Sequence, residues 1–380
     1  MSIKCIIGMS YGDESKGQNV SYLCKENNAT LVVKFNGTAN SGHNVHLSDG
    51  RHHEFSQFGA GSFIPGVKTH LSKYCLVNPL NQMREADALI SKGVPDIWER
   101  LTVHEDAVII TPWHRLLNEI VEEAHGEKKS TRNGLGIARH FSLEYPEETL
   151  LAKDLTNPEK IKRFKEAFLS FVDYTCNGLN YTSHQFNIIR TFSNHRLDIT
   201  FDENTYKTWP AKLVSKLVLD ENTIFEGCQG VLLDEKYGFA PYNTWTDCTF
   251  GNALKLISEA GYTGNVEKIG CFRSYFTRHG AGPFPTEWPM TPKKFQEVDN
   301  ITNPGQGKFK TGGFDWNLAQ YAIEIAKPDS LFISHLDINY LELDQFRKKF
   351  KVPVRYIGWG NTAAQRTVRC DSFTQKRYDK

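Results

Sequence analysis

The N-terminal stretch from Ile3 to Gly17 constrains the fold of this chain more than any other feature. An apolar run, Ile3 to Ile7, ends in a turn of small residues, and Gly12-Asp-Glu-Ser-Lys-Gly17 precedes a predicted helix over 18–25. This order of strand, loop and helix aims backbone N–H groups and the positive end of a helix at one point, where an anion is stabilised. Lys16 adds a cation there, and Asp13 adds a carboxylate that can hold Mg²⁺ or accept a proton.

The spacing within this loop leaves two interpretations open. Lys16 is followed by Gly17, whereas the standard Walker loop has Ser or Thr at that position. The alternative is an ordinary turn between a strand and a helix, in which Lys16 and Asp13 face water. The rest of the chain has to separate the two.

Composition excludes several classes of protein. The 45 basic and 44 acidic residues leave a net charge of +1, so charge gives no reason to expect a nucleic acid or a membrane surface as partner. The eight cysteines are scattered without a CxxC pair, which favours reduced core thiols over a zinc site or a disulfide framework. No apolar run approaches the ~18 residues of a membrane span. We therefore expect a soluble, cytoplasmic protein.

Strand-like and helical patterns alternate along the chain. Strands are predicted at 30–35, 108–111, 331–334 and 352–357, and 223–234 is predicted to be a strand followed by a glycine loop at 226–230. Helices are predicted at 79–92, 115–125, 157–174, 251–259 and from 315 or 316 onwards. This alternation predicts an α/β fold, with one large domain over residues 1–380 around a mostly parallel sheet and a P-loop-like nucleotide site. A mainly helical insertion is expected around 80–215. We expect 277–287 to be irregular and 303–313 to be a mobile basic loop.

Two further loops are candidates for ligand binding. Small residues surround His43 after the second predicted strand, and open parallel sheets bind ligands at the carboxyl ends of their strands. The segment 126–136, with two lysines, two hydroxyls, an arginine and three glycines, could hold a second phosphate group. A surface histidine and a solvated loop are the alternatives at this point.

Four segments together resemble the signatures of the adenylosuccinate synthetase family. Gly12-Asp-Glu-Ser-Lys-Gly17 is similar to GDEGKG with Ser15 in place of Gly, and Asn40-Ser-Gly-His43 is similar to NAGH. FEGCQGVLLD at 225–234 resembles FEGAQGTLLD, and TRHGAGPFPTE at 277–287 resembles TRVGAGPFPTE. The motifs occur in the family's order along the chain. The length resembles that of compact archaeal forms and of phage paralogues that make the precursor of 2-aminoadenine.

The resemblance implies a homodimeric ligase that forms a C–N bond in two steps, with Mg²⁺ as cofactor. In the family, the residue that matches Asp13 takes the N1 proton of IMP and helps bind Mg²⁺, and Lys16 would neutralise the nucleotide phosphates. The 6-oxygen attacks the γ-phosphate of GTP while His43 acts as an acid, and L-aspartate then displaces phosphate to give adenylosuccinate.

The resemblance also assigns the other site residues by position. It assigns binding of the nucleoside monophosphate to Asn40, Thr131, Gln229 and Thr244. The family's intersubunit arginine, which reaches the monophosphate, falls near Tyr145, and Arg139 is close enough to take its place. The resemblance assigns the nucleoside triphosphate to Gly12, Ser15, Gly17, Gly42, Asn44, Asp337 and Gly360. It assigns Mg²⁺ to Asp13 and Gly42, and the amino acid to Lys308, Lys310 and Thr311.

The chain departs from the family pattern where the amine donor and the purine base would bind. The family's amino-acid loop is TTGRxRRxGW, but here Gly307 and Phe309 occupy arginine positions and the cations are lysines, which bind a carboxylate as point charges. His335 stands where the family usually has Lys. The alternatives are therefore dGMP or GMP as acceptor, ATP in place of GTP, another amine donor, or a nucleotide-binding protein without turnover. Retention of Asp13, which many of the phage paralogues replace, favours the IMP reaction.

Overall fold

The computed structural model describes residues 2–37, 39, 41–125, 130–177, 206–291, 294, 307–360, 362 and 365–367. Within these residues lie sixteen strands and eight α-helices. None of these helices combines the length and the apolar character needed to cross a membrane.

The elements have the following bounds. The strands are β1 (Ile3–Gly8), β2 (Leu31–Lys34), β3 (His43–His46), β4 (His52–Phe55), β5 (Lys68–Leu71), β6 (Leu76–Val77), β7 (Leu101–His104), β8 (Val108–Ile109), β9 (Lys212–Val214), β10 (Thr223–Gly230), β11 (Val266–Arg273), β12 (Phe276–His279), β13 (Phe309–Gly312), β14 (Ser330–Ser334), β15 (Val354–Gly358) and β16 (Arg366–Thr367). The helices are α1 (Lys16–Glu26), α2 (Pro79–Ser91), α3 (Pro112–His125), α4 (Leu135–Glu144), α5 (Pro158–Cys176), α6 (Gly251–Glu259), α7 (Trp316–Ala326) and α8 (Leu343–Phe350).

Ten strands form one sheet in the order β16-β15-β14-β11-β1-β10-β2-β5-β7-β9. Every neighbouring pair is parallel except β15 and β16, which are antiparallel. The predicted α/β fold with a mostly parallel sheet is confirmed. Because β1 lies inside the sheet, the loop after it opens between the carboxyl ends of β10 and β11, where parallel sheets bind ligands.

Apolar residues cover both faces of the sheet. Along β1, Ile3, Cys5 and Ile7 belong to one buried cluster, whereas Ile6 belongs to the cluster on the opposite face. This alternation explains why β1 reads as a continuous apolar run, since a parallel strand is buried on both sides. The seven described cysteines are all buried free thiols, as predicted, and Cys370 lies outside the described residues.

The predicted helices are present, and local capping explains where α2 and α5 start. Asn78 and Asn157 each accept a hydrogen bond from the backbone N–H three residues on, and Pro79 and Pro158 occupy the first helical positions. Both patterns satisfy N–H groups that a helix leaves unpaired at its start. α1 begins at Lys16, two residues before the predicted start.

The prediction of irregular structure at 277–287 is wrong at its start. Phe276–His279 forms β12, which pairs antiparallel with β13 at Phe309–Gly312. The mobile loop predicted at 303–313 is also wrong in part, because Phe309–Gly312 is a strand. Residues 303–306 lie outside the described residues. Local glycines and prolines suggested a loop, but hydrogen bonds between segments about thirty residues apart decide the conformation, and local sequence does not reveal such pairings.

The predicted helical insertion around 80–215 stays a prediction. Its described part contains most of α2 and all of α3–α5, but β7 and β9 from the same stretch pair within the main sheet. Residues 178–205 of this stretch lie outside the described residues.

His114 makes stability depend on pH. Its Nδ1 accepts a hydrogen bond from the Thr111 backbone N–H at 3.0 Å and lies 2.9 Å from the Thr111 hydroxyl oxygen. Phe141, Phe164 and Phe168 surround the ring. Burial lowers the pKa of His114 to about 3. Between pH 6.5 and 3 the unfolded chain therefore binds more protons at this group than the folded chain does. As the pH is lowered through this range, the free energy of unfolding decreases by up to ~1.4 kcal/mol per pH unit for this group.

We predict that His114→Asn, whose Oδ1 can keep the Thr111 contact, flattens the fall in unfolding free energy below pH 6.5. Urea unfolding between pH 7.5 and 4.5 measures this slope. His140→Asn is the control, because His140 is partly exposed and its replacement should leave the slope unchanged. An unchanged slope in His114→Asn would contradict the prediction.

Candidate active site

The loop after β1 is built around the carboxylate of Glu14, which is fully buried. Its Oε1 accepts hydrogen bonds from the Ser10 N–H at 2.9 Å, the Ser10 hydroxyl at 2.5 Å and the Gly12 N–H at 2.9 Å. Its Oε2 pairs with the Lys16 ammonium at 2.9 Å. Burial alone would raise the pKa of Glu14, but Lys16 and these donors lower it below its ordinary value. Glu14 is therefore an ionised structural centre of the loop.

Lys16 lies inside the loop and is only 2% exposed. Its Nζ donates to the Gly12 carbonyl at 2.6 Å and to Glu14 at 2.9 Å. Burial opposes the charge, but the Glu14 carboxylate raises the pKa of Lys16, so the ammonium is retained. An ammonium has three hydrogens, so Nζ has one donor beyond these two bonds, although the side chain is fully buried.

The N-terminus of α1 lacks a side-chain cap. Ser15 occupies the capping position with φ 59°, and no side chain caps the helix there. Unsatisfied N–H groups at a helix start, combined with the helix dipole, bind anions. This end of α1 is therefore suited to an anion such as a phosphate group.

Gly17 explains why no larger residue follows Lys16. A Cβ at Gly17 would lie 2.8 Å from the carbonyl carbon and the Cβ of His43. The first turn of α1 therefore packs directly against β3, and the predicted residues Gly17 and His43 are brought together. Asn44, on the same strand, accepts a hydrogen bond from the His52 ring at 2.7 Å.

His43 belongs to a buried network of charged groups. Its Nδ1 lies 2.5 Å from Glu226 Oε1, and Lys34 Nζ lies 3.4 Å from the same oxygen. Glu226 Oε2 accepts a hydrogen bond from the Ala60 N–H at 2.8 Å. Glu226 on β10 and Lys34 on β2 are direct neighbours in the parallel register, so the sheet itself sets this geometry.

The network favours an ionised Glu226 and a neutral His43. Burial opposes ionisation of Glu226, but Lys34 and His43 lower its pKa to about 2. Burial also lowers the pKa of His43 to about 4, against the opposing effect of Glu226. A neutral ring that donates through Nδ1 to a carboxylate has an unprotonated Nε2.

Asp13 lies on the open side of the loop, with its side chain 22% exposed. Its Oδ2 is 3.5 Å from Nε2 of His279, the last residue of β12. The neighbouring Arg278 is buried, lies over the ring of Tyr11 at 4.4 Å and donates to the carbonyls of Ala281 and Pro283. Gly282, at φ 110°, leaves room for that guanidinium.

Two of the predicted monophosphate residues are in contact. Gln229, at φ 58°, donates through Nε2 to the Thr244 hydroxyl at 3.0 Å. The Cα of Gln229 lies 3.4 Å from a Cβ built on Gly12, so this pair borders the loop after β1.

The other predicted monophosphate residues come from α4 and its preceding loop. Asn133, two residues after Thr131, donates to the Ala39 carbonyl at 3.2 Å, which places the Thr131 loop beside the second candidate loop. α4 carries Arg139, and the adjacent His140 stacks on Trp245, the residue after Thr244, at 5.6 Å. Asn40 lies outside the described residues.

Asp337 and Gly360 follow neighbouring strands at the sheet edge. The Leu336 N–H donates to the Gly358 carbonyl at 3.2 Å, so the ends of β14 and β15 are adjacent, and Asp337 is exposed. The preceding His335 reaches back to Ser15, with Nδ1 3.4 Å from the Ser15 hydroxyl. This contact connects the two parts of the predicted triphosphate site.

The predicted amino-acid residues lie on or beside β13. Lys310 pairs with Glu287 at 3.3 Å, and the buried Thr311 hydroxyl donates to Thr291 at 2.8 Å. The Lys308 carbonyl accepts a hydrogen bond from the Gly280 N–H at 3.0 Å. The charge of Lys310 is therefore already balanced by a carboxylate.

Comparison with known proteins decides the family. The model of the family described as adenylosuccinate synthetase matches residues 5–376. The chain belongs to the adenylosuccinate synthetase family. An adenylosuccinate synthetase of Chlorobium chlorochromatii is 28% identical over 356 residues, covering 93% of this chain and 79% of the relative. One of Dehalococcoides mccartyi is 30% identical over 360 residues, covering 89% and 79%. As a family member, the chain is a purine-biosynthetic ligase that forms a C–N bond.

Two solved structures share the fold of this adenylosuccinate synthetase family member. The fully ligated adenylosuccinate synthetase of Plasmodium falciparum has a TM-score of 0.72 at 18% identity, over 97% of this chain and all of that one. The cyanophage S-2L succinoaminodeoxyadenylate synthetase, bound to dGMP and dATP as an energy donor, has a TM-score of 0.63 at 19% identity, over 97% and 95%.

Sequence reasoning assigned no role to Glu14, Glu226 or His279. Glu14 and Glu226 stand inside the family motifs, and the available signal was an acidic residue within each motif; the structure shows that both are fully buried. His279 replaces the Val of the adenylosuccinate synthetase signature TRVGAG. A polar residue in place of an apolar one within a matching motif was the available signal.

Gly17 offers a test of the contact between α1 and β3. We predict that Gly17→Ala lowers the free energy of unfolding by about 1–3 kcal/mol, because its Cβ meets the His43 backbone. Gly136→Ala in α4 is the control: its Cβ would lie 3.4 Å from Trp245, and alanine should stabilise that helix by up to ~1 kcal/mol. Chemical denaturation measures both, and a Gly17→Ala protein as stable as the wild type would refute the close contact.

Proposed function

We propose that this chain catalyses the Mg²⁺-dependent formation of adenylosuccinate from IMP, GTP and L-aspartate. The observation that carries the proposal is the His43–Glu226 pair packed against the first turn of α1, directly after Asp13. Family membership supports the same reaction. The other proposed contacts are those given by the resemblance, with the monophosphate near Gln229 and Thr244 and the triphosphate between α1 and Asp337.

In the proposed first step, Asp13 accepts the N1 proton of IMP, and the 6-oxygen attacks the γ-phosphate of GTP. The bond between the γ-phosphorus and the bridging oxygen breaks, which gives a 6-phosphoryl intermediate and GDP. His43 is neutral before nucleotide binds, so Nε2 can act as an acid only after the ring is protonated. The negative charge of the triphosphate favours that protonation. Glu226 stabilises the resulting imidazolium through its contact with Nδ1. In the second step the amine of aspartate displaces phosphate.

The described residues suit Mg²⁺ held partly by its substrates. No group of three or more His, Cys, Asp or Glu side chains in the described part of the chain could hold a metal ion. Mg²⁺ typically uses one or two carboxylates together with phosphate oxygens and water. The Asp13 carboxylate and the Gly42 carbonyl are hard oxygen ligands of this kind. Bound Mg²⁺ would neutralise charge on the phosphates. In this proposal, positioning and charge stabilisation by the protein supply the remaining rate enhancement.

We predict that Asp13→Asn and His43→Asn each lower kcat by about 10²–10⁴-fold without changing the melting temperature by more than a few degrees. The assay follows phosphate release and adenylosuccinate absorbance with IMP, GTP, Mg²⁺ and L-aspartate. Asp49→Asn is the control for Asp13→Asn, because Asp49 pairs only with the exposed Arg51. Wild-type protein that forms neither product would sink the proposal.

A second candidate keeps the chemistry and changes the substrates to dGMP or GMP, with ATP or dATP as energy donor. The phage enzyme of similar fold is bound to dGMP and dATP. The amine donor would be bound differently from the family pattern, because Phe309 stands at an arginine position and Lys310 pairs with Glu287. A homodimer is part of both proposals.

A substrate panel separates the two candidates. We predict the highest kcat/KM with IMP, because Asp13 is retained for removal of the N1 proton. The panel crosses IMP, GMP and dGMP with GTP, ATP and dATP, and with L-aspartate and other amino acids. A higher value with dGMP or GMP would favour the second candidate. Tight nucleotide binding by calorimetry without turnover on any combination would instead support a binding protein.

A further inference from the structure

His279 adds a hydrogen-bonding group beside Asp13. The signature TRVGAG has Val at this position, and a Val side chain has no polar atom. Here the ring Nε2 lies 3.5 Å from Asp13 Oδ2, and the two side chains are 21% and 22% exposed. The two side chains are thus partly exposed, but the contacting oxygen, Asp13 Oδ2, is itself buried.

The fold holds the His279 ring in place. His279 is the cross-strand partner of Phe309 in the β12–β13 hairpin, and the two rings are 4.8 Å apart. Phe309 itself stands at an arginine position of the family loop, so two departures from the family pattern pack against each other. On either side of His279, Arg278 and Gly280 are fixed by hydrogen bonds to backbone carbonyls. The ring is thus packed on one side and faces Asp13 on the other.

We propose that His279 is a positioning residue that holds the Asp13 carboxylate toward the acceptor purine. This inference rests on the proposed function, in which Asp13 accepts the N1 proton. Proton transfer needs the Asp13 carboxylate within hydrogen-bond reach of N1 of the purine. The distance of 3.5 Å from His279 Nε2 to Asp13 Oδ2 is longer than that of an aligned hydrogen bond. Such contacts in ligand-free sites shorten when the substrate binds. An N–H at Nε2 restricts the carboxylate to the rotamers that keep this contact.

The same contact connects the amine-donor residues to the loop after β1. β13 carries Lys310 and Thr311, and its partner strand β12 ends at His279. In the proposed function the amine donor therefore binds on the same hairpin that holds His279 next to Asp13. Loss of His279 should slow the reaction more than it weakens nucleotide binding, because a misplaced catalytic group acts mainly on kcat.

The test compares His279→Val, which restores the family residue, with His279→Gln, whose amide N–H can reach the position of Nε2. We expect His279→Val to lower kcat roughly 10-fold, with KM for the monophosphate changed less than about 2-fold. His279→Gln should recover most of that loss. His104→Val is the matched control, since His104 also lies beside an aspartate, with Nδ1 3.9 Å from Asp106; it should leave kcat unchanged.

The outcomes separate this inference from the proposed function. Wild-type kcat in His279→Val, or equal losses in His279→Val and His279→Gln, would overturn the positioning role. If the wild type turns over no substrate of the panel, the proposed function fails, and crystal structures still test the contact. An Asp13 carboxylate in the same place in wild type and His279→Val would then overturn it, whereas a displaced carboxylate would support it.

Discussion

Buried ion pairs at the carboxyl ends of neighbouring strands determine the shape of this site. Glu14 with Lys16, and Glu226 with Lys34, place four charged groups where water is excluded. A buried charge costs several kcal/mol unless it is paired and hydrogen-bonded, and breaking one partner of such a pair costs about 3–5 kcal/mol. The loop after β1 and the end of β10 therefore adopt the conformations that complete these pairs, and the position of His43 follows from its contact with Glu226.

The departures from the family signatures are coupled in space. Ser15 replaces a Gly and lies 3.4 Å from His335, which replaces a Lys. His279 and Phe309 also face each other across a pair of strands. Residues in contact influence each other's energy, whereas distant ones change independently. The four departures therefore form two local pairs, one at the predicted purine-base end of the site and one at its predicted amine-donor end.

Hydrophobic alternation and glycine-rich loops were enough to predict the parallel sheet, most helices and the loops that meet at its edge. Their positions in loops after predicted strands singled out Asp13 and His43, and the family resemblance then assigned their roles and added Gln229. Neither source predicted β12 and β13, because their pairing is a tertiary contact that outweighs local glycine and proline. Nor could the sequence tell that Lys16 pairs with Glu14, two residues away, since the backbone of the loop decides whether such neighbours face each other or the solvent. Assignments of individual residues to ligands stay predictions.

The charge balance indicates where attraction for a nucleotide originates in the proposed reaction. Lys16 and Lys34 are each matched by a buried carboxylate, and Lys310 is matched by Glu287. In the described part of the site these lysines therefore contribute little surplus positive charge. In that proposal the uncapped N-terminus of α1, Arg139 and the metal that accompanies the triphosphate supply the attraction. Burial lowers the pKa of His43 to about 4, so in the proposed reaction His43 gains its proton when the anionic substrate binds. The acid of the first step is then present only in the complex that uses it.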